Sequence, residues 1–189
     1  MNQDGSVETL IGYLDSEMLD IRLKAQAQLV ERGAEAFDAL IATMRAGTGP
    51  KCWLAAKVLV AIDPGRAFGQ LVDALRSPNL ILRQTAAQLL GQLGDRRAVE
   101  PLIGALEDDG ITVRLWAIEG LGRLGDRRAV DYLLAELRRT ESSTLQYTLI
   151  RALGNLGDPR AVEAIMSFEF DENHHVRAHA QRALSQLRH

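Results

Sequence analysis

The chain has 189 residues, 47% of them hydrophobic, 25% charged and 5% aromatic, with a net charge of −3 and a pI near 5.8. That is enough chain for one or two ordinary domains, and the acidic balance argues against a non-specific nucleic-acid binder, which presents a basic face. No apolar run approaches the ~20 residues that span a bilayer, the polar, acidic start up to Glu8 shows no secretory signal, and the single cysteine, Cys52, excludes an internal disulfide framework and suits a reducing cytoplasm.

Read in chain order, the sequence repeats itself. Val7-Glu8-Thr9-Leu10-Ile11-Gly12 is echoed by Val99-Glu100-Pro101-Leu102-Ile103-Gly104. Worn copies of a turn follow at Glu31–Phe37 and Ala61–Phe68. Three clean copies then align without gaps at Leu90–Val99, Leu121–Val130 and Leu153–Val162. Near the end, Val176-Arg177-Ala178-His179-Ala180 echoes Val113-Arg114-Leu115-Trp116-Ala117. Each unit reads as two helices. In the clearest one, Val113, Ala117, Leu121 and Leu124 form one apolar stripe on a first helix of about 111–124. Gly125 ends it, Asp126 caps the next, and a second helix of about 128–139 buries Ala129, Val130, Leu133, Leu134 and Leu137. Neither helix can bury its stripe alone, so neighbouring units must stack into a continuous core. The expectation is an all-α, single α-solenoid over 1–189. Its units fall at 1–16 (half), 17–48, 49–77, 78–109, 110–141, 142–172 and 173–189 (half). That makes about twelve helices in a right-handed superhelical arc, with second helices lining the concave side.

The pattern L-G-x-L-G-D-x-R-A-V, with V-R-x-x-A in the preceding helix, resembles the short HEAT-like repeats of the phycobilin lyase type. The resemblance covers nearly the whole chain and is strongest from Ile81 to Met166. It implies the solenoid fold and a macromolecular partner. Proteins of that repeat type include E/F-type lyase subunits and phycobilisome factors, alongside many bacterial repeat proteins without that role.

Several constellations invite a chemical reading and each has a plainer one. Gly120-Leu121-Gly122-Arg123-Leu124-Gly125 spells G-x-G-x-x-G, but it lies at the end of a helix with no strand before it, so close packing and a C-cap explain it better than a dinucleotide site. Arg22, Arg83, Arg114 and Arg177 form a ladder, interrupted by Cys52 and Gln146. The turn aspartates Asp95, Asp126 and Asp158 form another. Pairing between adjacent units and helix capping is preferred to anion binding. His174, His175 and His179 cluster with Asp171 and Glu172, without the companions a metal site needs. Cys52 has no histidine base before residue 174. No catalytic, cofactor or metal residue is assigned.

The second helices carry the expected partner surface. Their aligned outward positions read Glu8, Asp38, Gly69, Glu100, Asp131 and Glu163, acidic at all but one. Gln70, Pro101 and Tyr132 follow one residue on, and the row Gly12, Ala42, Asp73, Gly104, Ala135 and Ser167 is nearly all small. This predicts a groove with an acidic stripe and a low floor, formed by Asp38, Gln70, Asp73, Glu100, Pro101, Asp131, Tyr132 and Glu163. On the first helices, the apolar residues Trp53, Leu115 and Tyr147 stand where polar ones are expected; they either mark a second contact face or lie against the neighbouring helix. The reading is a cytoplasmic scaffold or chaperone that cradles a protein client, with no nucleic acid, membrane span or cofactor. The resemblance adds a phycobiliprotein subunit or a second HEAT-type subunit as candidate partners. It also leaves open an enzymatic alternative: a lyase subunit that positions an open-chain bilin for attachment to a client cysteine.

Overall fold

The computed structural model describes residues 5–47 and 49–188. The first four residues of the expected opening half-unit, Thr48 and His189 lie outside them. The described residues form twelve α-helices and no strand, the all-α solenoid architecture expected. The chain divides into two compact units, 1–89 and 90–189.

In the first unit the helices are α1 (Val7–Tyr13), α2 (Leu19–Arg32), α3 (Ala34–Ala46), α4 (Gly49–Ile62), α5 (Pro64–Ala74) and most of α6 (Leu80–Leu93). Large side chains fill its core: Leu29, Phe37, Leu40, Met44, Leu59 and Leu71 are almost wholly buried. Caps mark the helix starts. Ser6 accepts the Thr9 amide, Asp63 that of Arg66, and Asn79 that of Ile81 at 2.9 Å. Asn79 also donates to the Gly47 carbonyl at 3.0 Å, tying one loop to the next across the stack.

The second unit holds the last turn of α6, then α7 (Val99–Gly104), α8 (Ile111–Leu124), α9 (Val130–Arg139), α10 (Ser143–Leu156), α11 (Val162–Met166) and α12 (His174–Leu187). The apolar stripe of α8 is buried throughout, and so are Ala129, Val130, Leu133, Leu134 and Leu137. The second helices enter through a 3₁₀ turn rather than directly, at residues Arg96–Ala98, Arg127–Ala129 and Pro159–Ala161. Gly125 adopts φ +68°, the left-handed conformation that ends α8. Asp126 then accepts the Arg128 amide at 3.0 Å and opens the next element.

Glycines inside the first helices set how closely the helices stack. A Cβ on Gly91 would lie 2.5 Å from the Cα of Gly120, and one on Gly122 would lie 2.8 Å from Ala152. The G-x-G-x-x-G run therefore divides into close-packing positions and a C-cap.

The arginine ladder serves the backbone. Arg22 donates to the Ser16 carbonyl at 2.6 Å, Arg83 to Ser77 at 3.0 Å and Arg114 to Asp108 at 2.7 Å, each six residues earlier, and Arg177 donates to Asp171. Gln146 does the same to Thr140, and the Cys52 thiol reaches the Met44 carbonyl at 3.3 Å. These side chains satisfy carbonyls that helix ends leave open. The expected pairing of this ladder between adjacent units is therefore corrected: its arginines bind carbonyls of the loop just before their own helix.

Candidate functional site

Each turn aspartate grips the arginine two residues on. Asp126 binds the Arg128 guanidinium at 2.9 Å, and Asp158 binds that of Arg160 at 2.9 Å. Side-chain and backbone hydrogen bonds from Arg128 hold the Asp126 carboxyl down to about 2, and Arg160 lowers Asp158 by the same means. Each arginine then reaches back one repeat. Arg128 meets Glu100 at 3.0 Å and Arg160 meets Asp131 at 2.8 Å. In the first unit, Arg66 lies 3.9 Å from Asp38. Glu100 and Asp131 are thus rungs of an alternating-charge ladder. Being solvent-exposed, these pairs add little stability, but they fix the register between repeats.

The anticipated surface residues divide between the two compact units. In the first, Asp38 on α3 is exposed beside Arg66, Gln70 on α5 accepts from Arg45 at 2.8 Å, and Asp73 is exposed. In the second, Glu100 and Asp131 are exposed on α7 and α9, Pro101 is half-buried, and Tyr132 is 53% exposed. Glu163 on α11 lines a groove with Leu137, Arg138, Arg160, Ala164 and Phe168. Arg160 joins this groove to Asp131, next to Tyr132. Phe170, in the turn after α11, is 84% exposed.

The second face also divides. Trp53 belongs to the first unit, where its indole donates to Gln88 at 3.1 Å and Lys57 lies 4.7 Å from its ring. Leu115 and Tyr147 come together in the second unit, lining one groove between α8 and α10 with Trp116, Glu119 and Arg151. Glu119 and Arg151 form an ion pair across it. Tyr147 stacks on His179 at 5.4 Å between centroids and tilts towards His175 at 6.2 Å. Burial, then the nearby charges of Arg151, Arg182 and His175, push the His179 imidazole below its ordinary range.

Sequence reasoning missed two things here. Only the recurrence of Arg97, Arg128 and Arg160 two residues after each turn aspartate was legible, not the pairing of Arg128 and Arg160 one repeat back. Trp116 as a partner of Tyr147 in one groove was not, since it depends on how α8 lies against α10. Among the described residues, no group of three or more His, Cys, Asp or Glu side chains is placed to hold a metal ion. No helix there is long and apolar enough to cross a membrane.

Helix pairs closed by an Asp-capped turn and tied one repeat apart by arginines define an α-solenoid repeat protein. The chain belongs to the HEAT-repeat family, whose profile matches residues 69–143 and 130–189. No curated protein matches it in sequence. Among solved structures it is similar to an engineered protein, with 21% identity, TM-score 0.65, and 97% of this chain and 99% of that one covered. It is similar to the CpcE–CpcF complex of phycocyanin lyase from Nostoc sp. PCC7120, with 24% identity, TM-score 0.58, and 98% and 78% covered. It is also similar to a designed armadillo repeat protein in complex with the peptide (KR)4, with 14% identity, TM-score 0.65, and 97% and 100% covered. At these identities the likeness is one of fold. The protein is a repeat scaffold of a kind suited to binding other proteins.

Proposed function

We propose that the chain is a protein-binding scaffold whose second-helix face, over residues 90–189, receives a segment of a client protein with Tyr132 as its anchor. The observation that carries this is the exposure of Tyr132, at 53% the one large aromatic on the outward side of α9. It sits beside the rungs Glu100–Arg128 and Asp131–Arg160, which hold its surroundings in register. Interface energy concentrates in such aromatic and arginine positions. The adjacent groove, floored by Ala164, has room for a side chain or a loop. Asp38, Gln70 and Asp73 occupy the corresponding positions on the second helices of the first unit.

The narrower reading is a factor that handles a phycobiliprotein subunit, alone or with a second HEAT-type subunit. The repeat resemblance and the CpcE–CpcF likeness support it. Under the enzymatic alternative the same face positions an open-chain bilin while the client cysteine attacks it.

The test is capture of the client in the native host by a photo-crosslinker at position 132, followed by calorimetry on the purified pair. Tyr132→Ala is expected to weaken binding by about 1–2 kcal/mol, roughly tenfold, with the fold intact. A client that binds Tyr132→Ala and Asp131→Lys as tightly as the parent overturns the reading. Co-expression with a bilin source and a phycobiliprotein subunit separates the alternatives, because only the lyase reading gives a covalently coloured client.

A further inference from the structure

The first helices of the second unit are basic within an acidic chain. Across α8, α10 and α12 there are five arginines and three histidines against one carboxylate, Glu119. Two of the arginines, Arg114 and Arg177, are turned to loop carbonyls. Arg123, Arg151 and Arg182 remain exposed, and Arg151 is the partner of Glu119.

Arg123 and Arg151 line the groove between α8 and α10, and Arg182 lies near His179 on α12. One half of the groove is walled by Leu115, Trp116 and Tyr147. The other half continues past the Glu119–Arg151 pair to Arg123 and Asn155. The Tyr147 ring of that wall is stacked on His179. An apolar slot that runs into a basic one, with its only carboxylate already neutralised, complements a ligand that presents a large apolar side chain followed by carboxylates.

We propose that this groove binds an acidic peptide segment of a partner protein, with an aromatic or large aliphatic side chain between Leu115, Trp116 and Tyr147 and its carboxylates on Arg123 and Arg151. The surface is separate from the second-helix face of the proposed function and does not depend on it. A peptide fits better than a nucleic acid: only two arginines line the groove, too short a track for a phosphate backbone, and Tyr147 already has a stacking partner. Binding is coupled to pH through His179. Arg151 and Tyr147 face it from α10, and His175 and Arg182 flank it on α12. Glu163, the one ionisable residue of α11, lines the second-helix groove instead. Burial and then these cations disfavour its proton in the free protein, and ligand carboxylates offset the cations, so acidification from pH 7.5 to 5.5 strengthens binding.

The test uses fluorescence anisotropy with a labelled peptide of one Phe followed by four Glu, and with its Lys counterpart. The acidic peptide is expected to bind the parent and the Lys peptide not to. Arg123→Ala, at an exposed position that leaves the core untouched, is expected to weaken binding at least threefold, and Tyr147→Ala more. Tyr132→Ala leaves it unchanged. Affinity rises several-fold from pH 7.5 to 5.5, and His179→Gln abolishes that rise. Four results overturn the proposal: no binding of the acidic peptide, equal binding of the Lys peptide, tighter binding of an oligo-dT strand of similar length, or a stable dimer of the chain that Tyr147→Ala dissociates.

Discussion

Replacing Gly91 by alanine tests the stacking of first helices directly. Two terms of opposite sign compete. Alanine in a helix interior is favoured over glycine by about 1 kcal/mol. Against this, the new Cβ would sit 2.5 Å from the Cα of Gly120, while ordinary contact begins at 3.4 Å. Its neighbour is backbone, which no rotamer change can move, so the last turn of α6 and the middle of α8 must part by about 1 Å. Leu90 and Leu121, both almost wholly buried beside the contact, lose part of their packing. Overpacking of this kind costs about 1–3 kcal/mol. The net expectation is a loss of about 1–2 kcal/mol, read as a lower urea midpoint. Gly104→Ala is the matched control. Gly104 has helical angles, φ −58° and ψ −34°, and nothing lies within 4 Å of its would-be Cβ. There only the backbone term acts, and a gain of about 0.4–1 kcal/mol is expected. Because stacking is a nearest-neighbour effect, hydrogen exchange should place the Gly91→Ala loss in α6–α8. A midpoint for Gly91→Ala equal to or above the parent's refutes the close-contact account.

Asp126→Ala removes both an N-cap and the anchor of Arg128, and is expected to cost about 0.5–2 kcal/mol at neutral pH in thermal or urea melts. Since the folded carboxyl titrates at about 2, below its ordinary value of 3.8, its contribution is full above the unfolded value and is lost as pH falls through the folded one. The parent and Asp126→Ala should therefore converge in stability on acidification below pH ~4, and a gap unchanged at pH ~2 counts against the pairing. Cys52 is fully buried, and burial pushes its thiol up, so DTNB should label it only in urea, with rates that report opening of the first unit. Immediate labelling of the native chain refutes that placement.

Most of the fold was legible because its determinants are local. The α8 stripe, the left-handed Gly125 and the Asp126 cap lie within a few residues of one another, and a 3.6-residue period needs no tertiary knowledge to be seen. The 3₁₀ entry to the second helices of the second unit was missed because it depends on how each turn aspartate, such as Asp126, draws the amide two residues on towards itself. The partner surface was legible only as positions. An aligned row of acids is visible in the sequence, but its electrostatic character is not. Arg128 lies 28 residues from Glu100 and Arg160 lies 29 from Asp131, and whether such groups meet depends on the stacking distance that small residues permit. The same holds for Tyr147 on His179 and for Trp116 beside Tyr147. By itself, then, the sequence determined the helices, their ends and their buried sides, which follow from backbone preferences and short-range periodicity. The tertiary structure alone decided which charges neutralise one another and which aromatics share a groove, because those pairings join residues about one repeat apart and exist only once the helices have packed.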